Sequence, residues 1–338
     1  MTCPPAPFQH LLRMTDEIGL FEHADGIVPR YEHGYCVDDV ARGLVVVCRE
    51  LEPSAELTEV AARYLTFLAQ AQSPSGRSRN RLGLDRRWHD QPGTEDCWGR
   101  ALWGMGTAAA RGAGADLRSI ALALFGCGAQ ARSPWPHAMA FAALGAAEVL
   151  DTEPGHSGAL SLLADVVTVI GDPSPDAAWP WPAPRLSYAS GVIAEAVIIA
   201  GTQLGQDGVL HRGLAMLEWL VEAETSGGHL SVVPVGGRGP GDPRPGFDQQ
   251  PIEVAALADA CMRAAAVTGD SSWLTVVGRC VAWFLGDNDR QVPLLDEATG
   301  GGCDGLTAEG RNINQGAEST IAMISVLQHG RQLIAAGR

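Results

Sequence analysis

Positive charge is scarce in this chain of 338 residues: 24 basic side chains stand against 39 acidic ones, a formal net charge of −15. A nucleic-acid binder needs a basic footprint to displace counterions from phosphate, so nucleic acid is excluded as a partner. No uninterrupted apolar run reaches the length of a bilayer span, and no membrane association is expected. The eight cysteines show neither CxxC spacing nor disulfide-like clustering, which points to reduced thiols in a cytoplasmic protein. The N-terminus lacks the basic region and apolar core of a signal peptide. A Gly-rich loop carrying a phosphate-binding Lys, a GxSxG elbow and an HExxH helix are all missing. Neither a metal nor a cofactor is expected.

Aromatic residues make up only 6% of the chain, yet nine of them are Trp. Apolar residues reach 46%, mostly Ala, Leu and Val, the composition of closely packed helices. Runs of 11–18 residues with i, i+3, i+4 apolar spacing predict helices almost throughout. They are Phe8–His23, Val37–Leu51, Glu56–Gln72, Glu95–Ala110, Leu117–Ala131, Met139–Leu150, Ala159–Ile170, Ser190–Leu204, Val209–Glu224, Ile252–Val267, Trp273–Gly286 and Ala317–Gln328. Only His229–Val235 reads as a strand. Long links alternate with short ones, and the even-numbered runs are richer in small residues, as crowded inner helices need. The expectation is an all-α fold: one (α/α)6 toroid over residues 1–338, six helical hairpins with the long loops on one face. A regular α-solenoid fits less well, because the repeats vary in length.

Six stretches place polar side chains where an inner helix begins. They contain His33, Tyr35, Asp38 and Asp39; Glu95, Asp96, Trp98 and Arg100; His137; Tyr188; Asp248, Gln249, Gln250 and Glu253; and Asn314, Gln315 and Glu318. Helix N-termini favour acids through their dipole and free N–H groups, so Asp38-Asp39 and Glu95-Asp96 have a capping explanation, with Thr94 as N-cap. Pro251 suits a first helical position, and Glu253 could close a capping box. Capping does not require Asp248, Gln249 and Gln250 in series. Two adjacent acids point about 100° apart, so at most one of each pair faces the cavity centre. Trp88 and His89 precede the second start and Trp135, Trp179 and Trp181 lie in later links, whereas Trp219, Trp273 and Trp283 sit inside helical runs. Aromatic faces beside carboxylates suit a sugar ring, with Trp88, Trp98 and Trp181 as stacking surfaces.

In a six-fold ring, inner helices three apart are opposed, which sets Glu95/Asp96 against Asp248/Glu253. Two carboxylates across a cavity suit glycoside hydrolysis, with inversion at a separation of about 6.5–9.5 Å. Asp96 and Asp248 are the expected acid/base pair, with Asp39 and Glu95 as further catalytic candidates. Asp38, Glu253 and Glu318 are expected to read hydroxyls, and the remaining polar residues of the six starts to bind substrate. An epimerase or isomerase on the same scaffold would instead use His33, His89, His137 or His229 as proton carriers. A non-catalytic carbohydrate-binding module would have every carboxylate locked in caps or salt bridges.

The segments His33–Arg42, Thr94–Trp103, Phe247–Glu253 and Asn314–Thr320 resemble those of six-hairpin glycosidase-like proteins, some joined to or encoded beside glycosyltransferases. That resemblance implies a toroid, a carbohydrate ligand and a glycosyltransferase partner. Two positions depart from it. Trp98 stands where the group tends to carry His, and Pro182-Ala183-Pro184 stands where it tends to carry acids, which implies altered specificity or lost activity if those groups are catalytic.

Overall fold

A computed structural model describes residues 3–336, and all structural statements below refer to them. Twelve α-helices dominate: α1 (Gln9–Arg13), α2 (Val37–Arg49), α3 (Ala55–Ala71), α4 (Asp96–Arg111), α5 (Ala115–Gly128), α6 (Pro136–Thr152), α7 (Ser157–Ile170), α8 (Ser190–Gln203), α9 (Asp207–Ala223), α10 (Pro251–Thr268), α11 (Ser272–Phe284) and α12 (Ala317–Ala336). The even-numbered helices each pack on the next, and α12 returns to α2, so six inner helices close a ring. The odd-numbered helices lie outside it, each against its hairpin partner or a neighbouring inner helix. This is the (α/α)6 toroid, and it is all-α apart from five two-stranded ladders in the links.

The small residues of the inner helices explain how the ring closes. A Cβ on Gly145 of α6 would stand 2.2 Å from the Leu102 carbonyl of α4, and one on Gly99 of α4 would stand 2.1 Å from the Ala138 carbonyl of α6. Only glycine lets these two backbones approach so closely. Inner helices are buried on nearly every side; α8, for example, buries Ser190 through Gly201 without interruption. Outer helices bury one stripe each, as α3 does with Leu57, Val60, Ala61, Tyr64, Leu65 and Leu68.

The first element departs from expectation. The predicted helix Phe8–His23 ends at Arg13; Thr15 then bridges Leu20, and Asp16 accepts the N–H groups of Ile18 and Gly19 in a tight turn. The expected strand His229–Val235 is real only over His229–Leu230, which pairs with Thr225–Ser226. The links at the inner-helix N-termini are stitched to one another. Tyr35–Cys36 pairs with Arg81–Leu82, Leu186 bridges Arg238, and Gln249 bridges Leu306. The rim is thus fixed by backbone hydrogen bonds rather than left as loose loops.

Candidate functional site

All six inner helices begin at one mouth. The N-cap residues of α2, α4, α6, α8 and α10 make no side-chain cap hydrogen bond, nor do those of α1, α5, α9 and α11; Ser54 and His156 cap the outer helices α3 and α7. Thr94 is not the cap of α4: Glu95 occupies that position, exposed and without a capping bond. Glu253 closes no capping box. Its Oε1 and Oε2 accept from the N–H groups of Ala189 (2.7 Å) and Ser190 (3.3 Å), so it caps the neighbouring α8, whose first turn follows Ala189 in a left-handed conformation. Burial, reinforced by Glu224, pushes the Glu253 carboxyl well above the usual range. Glu253 is therefore a structural acid.

A polar cavity of about 440 Å³ opens at this mouth, set toward α2, α10 and α12. Six carboxylates line it (Glu22, Asp38, Asp39, Asp248, Asp304 and Glu318) against three guanidiniums, Arg42, Arg81 and Arg100. The chain contains no lysine, so every fixed cation is an arginine that cannot exchange its proton. Proton transfer in this cavity falls to carboxyl groups or to His23, which also lines it.

Both members of Asp38-Asp39 reach the cavity, one more than helix geometry led us to expect. Their environments push them apart. Burial alone would raise Asp38, but Arg100 (3.0 Å) and Arg42, helped by the Asn80 amide (2.9 Å), hold its carboxyl below the usual range. Burial pushes Asp39 up to about 7, against the pull of Arg42. Arg42 donates to Asp39 Oδ1 at 2.5 Å and to Glu318 Oε2 at 2.8 Å, so one cation serves two carboxylates with Glu22 and Asp38 nearby. Burial, reinforced by the surplus negative charge of Glu318, Glu22 and Asp38, favours the protonated form of Asp39, while Arg42 stays charged. Burial also raises Asp304, although it accepts the Gly316 N–H at 2.7 Å. Asp248 is different: it is exposed on the cavity wall, and its side chain makes no hydrogen bond or ion pair among the described residues. Gln250 lies beside it on the same wall.

Glu22, Cys36 and Asp39 each bring one potential ligand atom within 4.8 Å of the others. All three are engaged within the protein: Glu22 by Arg81, Cys36 by Asp38 and Asn80, and Asp39 by Arg42. Burial and the adjacent aspartates keep the Cys36 thiol protonated.

Several expected site residues stand elsewhere. Asp96 is not on the cavity wall; its Oδ2 accepts the Tyr188 hydroxyl at 2.6 Å and lies 3.7 Å from Arg100. Tyr188 stacks on His137 with ring centroids 4.4 Å apart. Trp98 is 1% exposed, and its indole N–H donates to the Gly128 carbonyl, so it is core. Trp181 stacks on Trp219 of the outer layer, and Trp88 packs edge-on against Phe67. None of these three expected stacking residues lines the cavity. Tyr35 is buried on Phe21 with its hydroxyl on Asp16. Gln249 is fully buried and bonded to Gly246 and Asp289; Gln315 is held by Thr299 and Asp296, and Asn314 accepts the Gly26 N–H. His33 packs on His23, His89 is exposed beside Asp85, and His229 pairs with Asp289. Glu22, His23, Arg42, Arg81, Asp304 and Thr307 line the cavity without having been singled out from sequence. Arg42 could have been, since it follows Asp38 and Asp39 by one helical turn.

No protein-family model matches this chain, and no curated protein matches it. Its fold does match solved structures of carbohydrate-active enzymes. A sugar epimerase from a ruminal bacterium aligns over 96% of this chain and 95% of its own, with a TM-score of 0.68 at 12% identity. The cellobiose 2-epimerase of Spirochaeta thermophila aligns over 96% and 93%, with a TM-score of 0.66 at 12% identity. The GH76 α-mannanase of Bacteroides thetaiotaomicron aligns over 89% and 88%, with a TM-score of 0.59 at 10% identity. The chain thus shares the (α/α)6 toroid of these enzymes, and at these identities the likeness concerns the fold alone.

Proposed function

We propose that the mouth cavity binds a saccharide and that the protein hydrolyses a glycosidic bond with inversion, using Asp39 as acid and Asp248 as base. The observation that carries this reading is the contrast between these two carboxyl groups, which line the same cavity. Asp39 is buried and pushed up to about 7, whereas Asp248 is open and unpartnered. A pair of carboxyls in such different environments is what acid–base division of labour requires. Asp39 gives its proton to the glycosidic oxygen as the bond to the anomeric carbon breaks. Asp248 takes a proton from the water whose oxygen attacks that carbon from the opposite face. The products are a free hydroxyl on the leaving sugar and an inverted hemiacetal, and both carboxyls are reset by exchange with solvent. Asp38, held ionised by Arg100, and Gln250 accept and donate hydrogen bonds to hydroxyls. Asp96, which the sequence pairs with Asp248 across the ring, takes part in substrate binding through Tyr188 instead.

One observation favours a second reading, sugar epimerisation or isomerisation: His23 lies on the cavity wall with His33 packed against it. A glycosyltransferase partner and a cytoplasmic setting belong to the same proposal. The first rests on the sequence resemblance and the second on eight unpaired cysteines. The test is incubation of manno-, gluco- and xylo-oligosaccharides with the enzyme, followed by NMR of the products. Hydrolysis shows new reducing ends, while epimerisation shows isomers of unchanged length. Asp39→Asn and Asp248→Asn should each lower hydrolysis by about 10²–10⁴-fold; wild-type turnover in either variant refutes its assignment.

A further inference from the structure

The half of the mouth that the cavity does not use has features of its own. Asp96, His137 and Tyr188 belong to the starts of α4, α6 and α8, which are consecutive in the ring. The buried guanidinium of Arg100 stands between the two halves, with one nitrogen 3.0 Å from Asp38 on the cavity wall and the other 3.7 Å from Asp96. Beyond Asp96 come the Tyr188 hydroxyl and then the Tyr188–His137 ring stack. Burial lowers the His137 imidazole, which is therefore neutral, and its Nε2 is buried without a partner. Tyr188 is 42% exposed despite this anchoring, and Trp135, the N-cap residue of α6, is 58% exposed. The Tyr188 ring, held by Asp96 and His137 yet partly open to solvent beside a carboxylate, suits the apolar face of a sugar ring.

We infer that the starts of α4, α6 and α8 form a second saccharide subsite, so that the ligand is an oligosaccharide spanning both halves of the mouth across Arg100. This rests on the proposed saccharide-binding role of the cavity and adds the length of the ligand. One sugar unit sits in the carboxylate-lined cavity. The next lies on Tyr188 and Trp135, with its hydroxyls within reach of Asp96.

The test compares Trp135→Ala, Tyr188→Ala and Tyr188→Phe with wild type on manno-, gluco- and xylo-oligosaccharides of two to five units. Turnover is followed by reducing ends and by NMR, and binding by calorimetry. In wild type, kcat/KM or affinity should rise with chain length. The two alanine variants should flatten that rise by about five- to tenfold, the worth of one aromatic contact. Tyr188→Phe keeps the ring and should retain most of the rise. Circular dichroism and melting curves identify any variant that fails to fold, and the other two then carry the test. Turnover or binding with a length dependence that folded variants leave intact overturns the subsite and spares the proposed function. A panel that is neither turned over nor bound overturns both.

Discussion

Arg42→Met tests the central electrostatic claim without requiring a substrate. Arg42 is buried, and Met keeps most of its apolar stem while removing the cation shared by Asp39 and Glu318. At about pH 8 the wild-type Asp39 is largely ionised, because its carboxyl titrates at about 7. Removing Arg42 then strands a buried charge, which costs about 3–5 kcal/mol. Glu318 is 35% exposed and adds less than about 1 kcal/mol. At about pH 5.5 Asp39 is already mostly protonated, and the loss is that of a charge-assisted hydrogen bond to a neutral acid, about 1.5–3 kcal/mol.

The sign follows from linkage. A carboxyl raised in the folded state contributes stability that is full below its unfolded pKa and is lost as pH rises through its folded one. In the variant the lowering pull of Arg42 is gone, so the Asp39 pKa climbs further and the loss with rising pH is steeper. Urea denaturation at about pH 5.5 and about pH 8 should show a deficit larger at the higher pH by about 1 kcal/mol, with a linkage ceiling of about 1.4 kcal/mol. A deficit equal at both pH values, or larger at the lower one, means that Asp39 is an ordinary ionised partner of Arg42. That result removes it as proton donor.

Two further substitutions probe the frame that holds the site. Glu253→Ala leaves the buried N–H groups of Ala189 and Ser190 without acceptors and should lower stability by about 2–5 kcal/mol in urea denaturation. Glu253→Gln, which mimics the protonated acid that burial favours, should cost less than half as much, and equal losses would refute the neutral form. Gly145→Ala drives a methyl into the Leu102 carbonyl and should cost at least about 1–3 kcal/mol, read as a fall in melting temperature; an unchanged melting temperature would refute the close approach of α4 and α6.

The toroid was legible because burial repeats along the sequence. Inner helices such as α8 bury almost every residue and so must be built from small and apolar side chains, while α3 shows one stripe. Pro251 marks the start of α10 as expected. The first segment misled because Leu11, Leu12, Ile18 and Leu20 keep helical spacing, while Asp16 and Gly19 turn the chain between them. Side-chain direction was the harder part. Trp98 sits one turn into α4, where its indole finds Gly128 of the outer helix α5 rather than the mouth. Gln249, between two cavity residues, alternates inward because it pairs with Leu306 as a strand does. Glu22, Arg81 and Asp304 come from links far apart in sequence, and only the stitching of those links brings them to one wall.

The helix-start acids divide once their partners are known. Six parallel N-termini at one mouth create a positive field that favours carboxylates, and uncapped inner starts leave N–H groups to be satisfied. Glu253 meets that need for α8, and Asp304 accepts the Gly316 N–H just before α12. Asp38, Asp39 and Asp96 sit in the first turns of α2 and α4, and each has an arginine about one turn deeper, Arg42 or Arg100. Fold and field together account for these acids without any ligand. Asp248 has neither explanation: it precedes α10 in a link, and no protein group among the described residues takes its charge. A carboxylate that the fold does not need, lining the same cavity as a buried carboxyl raised to about 7, is the strongest argument that the mouth acts on a ligand.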